Sequence, residues 1–388
     1  MLRDKWFAGG KRLAILDWIA MMGIAVCLAG GYIKVEYYKA IIQYMPLIAT
    51  CVMILLCFNH INWVDQLNDR AWDFLIIPIG IIVEMCNIIL SHSGVGVLLN
   101  LISFFLILYL ADKIKLRPWH YYFIAIVSAG CLLTWVGPDV RGYNTNMVAM
   151  MIMILAAGTM PGLGIWLDKK KLEWGYFAYT ILITLLAMNL SWKQRARCVM
   201  AGIAAFWAVS ILIPRCIWRI KALYNSAVLV LLSGSILFPI GYVYVWKHEI
   251  IKNFIVFNKN FYSGRDRVWD LFLNAFAKEP LTGIGSDIYG KIPDAIFTEV
   301  HNGLLHFLVI YGLIIFLIIF VLWFRVLKKA QKNAGQSLVI KQNVCMAVGL
   351  MVTSVFENFI VLPAFNLIYF LLLTSFFIPE KSEETNKI

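Results

Sequence analysis

Apolar runs alternate with short polar stretches along nearly the whole chain. Crossing a bilayer takes roughly 20 residues of helix. Twelve runs of about that length are read, near 13–31, 39–58, 73–92, 95–111, 121–137, 147–167, 175–190, 198–214, 227–246, 303–324, 343–360 and 363–378. Backbone groups in lipid must be satisfied within their own segment, so these runs predict helices rather than isolated strands. The longest polar stretch, 247–302, separates the ninth run from the tenth. Within it, Gly264 to Glu279 has the period of an amphipathic helix, with Val268, Trp269, Leu271, Phe272, Ala275 and Phe276 on one face. Ser263 is a candidate N-cap, with Asp266 three residues on, and Pro280 stops the helix. "LTGIGSDIYG" (281–290) then supplies three glycines and a turn.

Composition sharpens this into a class. Of 388 residues, 61% are hydrophobic and 14% charged, against about a quarter charged in soluble proteins. The expectation is an all-α polytopic membrane protein. A single integral membrane domain would cover 1–388, with about twelve transmembrane helices and one large extracytoplasmic loop, 247–302. The first run lacks a small-residue cleavage site and reads as a membrane helix, not a signal peptide. The eight cysteines lie in or beside apolar runs with no C-x-x-C pair, which predicts packing rather than a disulfide or zinc framework.

The net charge of +12 is explained by topology. Connections on one side of the twelve runs carry 21 of the 34 Lys+Arg, the opposite short loops carry six, and 247–302 carries seven. Long loops are outside the positive-inside count, so both termini are expected in the cytoplasm and 247–302 outside it. "DKKK" (168–171), "RCIWRIK" (215–221) and "RVLKKAQK" (325–332) then read as topology signals, and nucleic acid is not an expected partner. His60 and His120 fall on the cytoplasmic side.

Candidate chemistry collects on the outer side. Arg141, Arg195 and Arg197 break the inside bias in short outer loops; they either reach lipid headgroups or serve a site. Arg265 falls in the first turn of the loop helix, the wrong end for a cation that stabilises a helix. It is either an anion clamp beside free backbone N–H groups or an ion pair with Asp266, Asp270 or another loop carboxylate. His301 opens the tenth run, with His92, His248 and His306 as outer-side rivals. Asn302 either caps that run or orients the histidine. Glu84 and Glu357 lie inside runs, where ionisable groups face a cavity or a partner; Glu357 would pair with an outer arginine or orient His301. Tyr262, Trp269 and Tyr289 fit aromatic belts better than sugar-stacking platforms. "GTMPG" (158–162) predicts close helix packing with a kink.

"SGRDRVW" (263–269), "PLTGIGSDIYG" (280–290) and "EVHNGLLHFLVIYGLIIF" (299–316), in that order, resemble the signature of the O-antigen ligase and polymerase superfamily. "VRGYNTNMVAM" (140–150) and "NLSWKQRARCVMAGI" (189–203) are similar to its earlier arginine segments, the second without distinguishing Arg195 from Arg197. The resemblance implies a membrane-embedded glycosyltransferase that moves a glycan from a polyprenyl-pyrophosphate carrier to a sugar hydroxyl. The acceptor would be a growing glycan or a lipid A core. It implies His301 as base, Arg265 as catalytic clamp, and Arg141, Arg195, Arg197, Asn302 and Glu357 around the substrate. It implies no cofactor and no metal. The expected location is the cytoplasmic (inner) membrane, among membrane lipids and other envelope glycan-assembly proteins. A transporter or flippase for a lipid-linked glycan is the competing class, and a structural member of an envelope complex is a third.

Overall fold

The computed structural model describes residues 14–30, 37, 44–61, 63–91, 94–135, 143–251, 255–256, 259–260, 262, 264–293, 299–358 and 363–378. Its helices in chain order are α1 (Ala14–Ala29), α2 (Met45–His60), α3 (Trp63–Ser91), α4 (Val95–Leu110), α5 (Pro118–Thr134), α6 (Thr145–Lys169), α7 (Glu173–Lys193), α8 (Arg197–Trp207, prolonged by a π turn, Ala208–Leu212), α9 (Arg215–Trp218) and α10 (Lys221–Lys247). After a two-residue antiparallel ladder, Ile255–Val256 against Lys259–Asn260, come α11 (Arg265–Phe276), α12 (Ile288–Lys291), α13 (Gly303–Gln336), α14 (Leu338–Ser354) and α15 (Pro363–Thr374).

Every one of the twelve apolar segments holds a helix. Among the described residues, four helices are long and apolar enough to cross a membrane by length and composition: α6, α7, α10 and α13. Several shorter apolar helices accompany them. Two boundaries move by ten residues or more. α3 begins ten residues before its predicted start, because residues 63–72 (WVDQLNDRAW) continue the helix instead of forming a loop. α13 runs twelve residues past 324, and its polar extension is held by Arg325 and Lys329 on Asp112.

The helices sort by what surrounds them. Of the most apolar stretch of α6, 94% is buried inside protein, against 33% for α7 and for α10. α6, α14 and α15 therefore form the interior, and Ile126, Leu182, Val230 and Leu237 point outward from α5, α7 and α10. Large aliphatic side chains exposed on this scale require an apolar surrounding phase. α5 and α6 touch closely: a Cβ on Gly162 of "GTMPG" would lie 2.5 Å from the Tyr121 carbonyl. In the interior, Lys341 Nζ donates to the carbonyls of Ser210 (2.9 Å) and Ile213 (2.7 Å), in and just past the π turn.

The feature that shapes the site is a break in α13. The tenth run, read as one continuous helix, is interrupted at Gly312, whose φ is 80° and ψ 174°. The cause is the turn "PLTGIG". Its backbone fills the gap: Ile284 N–H donates to Val309 O (2.9 Å), Gly285 N–H to Ile310 O (3.1 Å), and Leu313 N–H to Pro280 O (2.9 Å). Irregular backbone at such depth is tolerated only when protein satisfies it. Gly283 and Gly312 are required here by both position and angle. A Cβ on Gly312 would lie 2.5 Å from Thr282 C, and one on Gly283 2.5 Å from Gly312 N. Glu84 and Asn87 back the turn from α3, Asn87 donating to Thr282 O at 3.0 Å and to Glu84 at 3.4 Å. Gly312→Ala should cost at least about 1–3 kcal/mol, the range for a strained left-handed residue, before its collision is counted. Gly234 of α10 has no atom within 4 Å of its built Cβ, so Gly234→Ala should be neutral or slightly stabilising. Melting curves of the two variants in detergent, with equal shifts, would contradict the account of the break.

Candidate active site around Glu357

The site is built where α11, the 299–302 segment and the end of α14 meet. α11 starts at Gly264, which sits in the left-handed region (φ 84°) and makes no side-chain cap. The expected cap, Ser263, lies outside the described residues. Trp269 is fully buried, its Nε1 donating to Val300 O at 2.8 Å and its ring 5.1 Å from that of Tyr242. It is an interior anchor and not part of an aromatic belt. The indole pins α11 to α10 on one side and to the segment before α13 on the other. Tyr262 is also buried, bonded to Ile251 O, whereas Tyr289 is exposed.

With α11 pinned, Arg265 reaches across to the residues after α14. Its Nη2 lies 2.6 Å from Glu357 Oε1, and its Nε donates to Phe356 O at 3.2 Å. His301 Nδ1 lies 3.1 Å from the other carboxylate oxygen, Oε2. Asn146, at the start of α6, donates to Oε1 at 2.8 Å. One carboxylate thus joins four parts of the chain. Its side chain is 5% exposed, against 19% for Arg265 and 24% for His301. An ionised carboxylate accepts only, so His301 donates to it from Nδ1, which in the neutral ring places the lone pair on Nε2.

His301 is held under strain. Its φ of 52° places a non-glycine residue in the left-handed region, which costs about 1–3 kcal/mol and survives only when neighbours enforce it. Asn302 enforces it. Its Oδ1 caps α13 through Leu305 N–H (2.8 Å), and its amide donates to Ser235 O and Val355 O (2.9 Å each). Its backbone N–H is taken by Asn358 (2.7 Å). Asn302 therefore both caps the helix and fixes the peptide that aims His301.

The arginines divide. Arg197 opens α8, is half-buried, and lies close enough to Arg265 for their positive charges to interact. Arg195 is exposed in the preceding turn, with φ 53°. Arg141 lies outside the described residues, as does His92. His248 is bonded through Nδ1 to Tyr244 O, and the His306 ring packs on Phe307 and Tyr311. Neither joins Glu357 among the described contacts. Glu299 senses the centre: desolvation raises its carboxyl above the usual range, His301 opposes the shift, and the like charge of Glu357 adds to it. The residue is exposed by area, so its nearness to His301 and Glu357 carries more weight than its burial.

Chemically, the cluster offers an oriented imidazole, a carboxylate to stabilise its protonated form, and two neighbouring guanidinium groups. Sequence reasoning missed Asn146, Asn358 and Glu299 as members. The signals were present in "NTN" (144–146), "EN" (357–358) and "EVHN" (299–302), where polar residues end or begin apolar runs. No protein-family model, curated protein or solved structure matches the chain.

The shared carboxylate makes its partners interdependent. In a double-mutant cycle of Arg265→Ala and Glu357→Ala, read by thermal unfolding in detergent, the two single losses should exceed the double loss, by about 0.5–3 kcal/mol as for coupled neighbours. Additive losses would show that the pair does not hold the site.

Proposed function

We propose that the protein is a polyprenyl-pyrophosphate-dependent glycosyltransferase of the O-antigen ligase and polymerase kind that its motifs resemble. It transfers a lipid-linked glycan to a sugar hydroxyl on the outer face of the cytoplasmic membrane. In this reading about twelve helices span the bilayer, both termini are cytoplasmic, and 247–302 is extracytoplasmic. The acceptor is a growing glycan or a lipid A core. The observation that carries the reading is the single Glu357 carboxylate held by both His301 and Arg265, a base beside an anion clamp.

The chemistry follows from that sharing. The donor's anomeric carbon is already activated by pyrophosphate. His301 Nε2 takes the proton of the acceptor hydroxyl as its oxygen bonds to that carbon. The bond from the carbon to the bridging phosphate oxygen breaks, and its electron pair leaves with the polyprenyl pyrophosphate. Before reaction, Glu357 balances Arg265. As His301 becomes an imidazolium it claims more of that carboxylate, and Arg265, with Arg197 beside it, turns its charge to the leaving pyrophosphate. Guanidinium suits this role because its planar fork matches phosphate oxygens and stays charged.

A transporter is the second reading, because broken helices mark transporter sites. Among the described residues, however, Gly312 is the one left-handed position inside a helix, and inverted-repeat transporters carry such breaks in pairs.

In a strain lacking the gene, complemented with variants that insert at normal levels, His301→Ala should reduce surface glycan at least about 100-fold, the scale of lost general-base catalysis. Loss of long chains with single units kept would mean polymerase. Loss of transfer to the core, with polymer kept on the carrier, would mean ligase. A wild-type ladder from well-inserted His301→Ala would overturn the assignment of the base.

A further inference from the structure

A second cluster of titratable groups lies at the other end of the bundle. Tyr121, beside His120 in the first turn of α5, lies against Gly162 of α6, whose first turn holds Asn146 of the Glu357 site. The two clusters are thus separated by roughly 24 Å of helix at 1.5 Å per residue. Asp17 of α1 sits between His60, the last residue of α2, and His120, in the first turn of α5. His60 Nε2 is 2.7 Å from Asp17 Oδ1, and His120 Nε2 is 3.2 Å from Asp17 Oδ2. The side chains of both histidines are fully buried, and that of Asp17 is 2% exposed. One donor atom from each residue lies within 4.8 Å of the others.

His120 is the member whose bonding the carboxylate leaves incomplete. His120 Nδ1 lies 3.0 Å from both the N–H and the C=O of Arg117. If Nδ1 accepts, Nε2 carries a buried hydrogen 3.2 Å from Asp17 Oδ2 but too poorly aligned for a full hydrogen bond. If Nδ1 donates, the Nε2 lone pair faces a carboxylate oxygen. A cation between the two histidines and the carboxylate removes both costs. The outer contacts fit ligation. The second arrangement at Arg117 is the support usual for a metal-bound imidazole, and Asn59 steadies the carboxylate by donating to Asp17 Oδ1 at 2.7 Å. Ligands sharing a tetrahedral zinc ion at about 2.0–2.2 Å stand roughly 3.3 Å apart, so small side-chain shifts admit the ion.

We propose that Asp17, His60 and His120 bind a divalent transition metal of the imidazole-preferring class, Zn2+ foremost, which ties α1, α2 and α5 together. Water completes the coordination. The site is remote from Glu357 and takes no part in the transfer reaction, so it stands or falls independently of that reading.

The test uses full-length, tag-free protein in detergent. Elemental analysis after dialysis against metal-free buffer should find about one zinc per chain, and Co2+ substitution should give the visible ligand-field bands of a tetrahedral site. Asp17→Asn, which preserves side-chain shape, should lower zinc at least about tenfold and abolish the bands. If that variant fails to insert, the wild-type cobalt spectrum decides. Wild-type protein that holds no zinc and shows no cobalt bands would overturn the proposal. So would Asp17→Asn that keeps its full complement.

Discussion

A carboxylate almost wholly out of water must find donors or cations, because an unpaired buried charge costs several kcal/mol. Glu357 finds Arg265, His301 and Asn146. These come from α11, from the segment that leads into α13, and from the start of α6. The requirement of one charge therefore fixes where three otherwise independent parts of the chain end. The strained backbone of His301 and the Asn302–Asn358 bond make sense only in that frame. They hold the imidazole against Oε2 instead of letting the chain relax into the helix that follows.

The break in α13 serves the same end from the other side. A helix uninterrupted through Gly312 would leave no backbone groups to receive "PLTGIG". Because Val309 and Ile310 present open carbonyls, the turn docks there. Its docking anchors the segment after α11, while Trp269 anchors α11 itself. Arg265, one turn before Trp269, is placed with little freedom. Asn87 and Glu84 make the dock dependent on α3, so a polar pair deep in an apolar helix has a structural task.

Much of this was legible in the sequence because hydrophobic length is a strong signal. The twelve helical segments and the amphipathic loop helix follow from it. His301, Arg265, Asn302 and Glu357 stood out as polar residues at the edges of apolar runs. Their mutual distances were not legible, since period and composition say nothing about which helix ends meet. The α13 break was hidden for a related reason. Glycine in an apolar run reads as helix, and only the tertiary partner at 280–285 shows why Gly312 departs from it. Trp269 misled because a tryptophan in a loop between apolar runs looks interfacial until its indole N–H finds Val300. The Asp17–His60–His120 cluster combines residues 103 apart in sequence at its extremes, with no spacing motif to announce it.

The central claim is that the Glu357 cluster transfers a glycan rather than moves it. Purified protein in proteoliposomes, given a polyprenyl-pyrophosphate oligosaccharide and an acceptor glycan, tests this most directly. The account requires an elongated acceptor and free polyprenyl pyrophosphate in equal amounts, with both lost in Glu357→Gln. Donor that crosses the bilayer intact, with no new glycosidic bond formed, would contradict it.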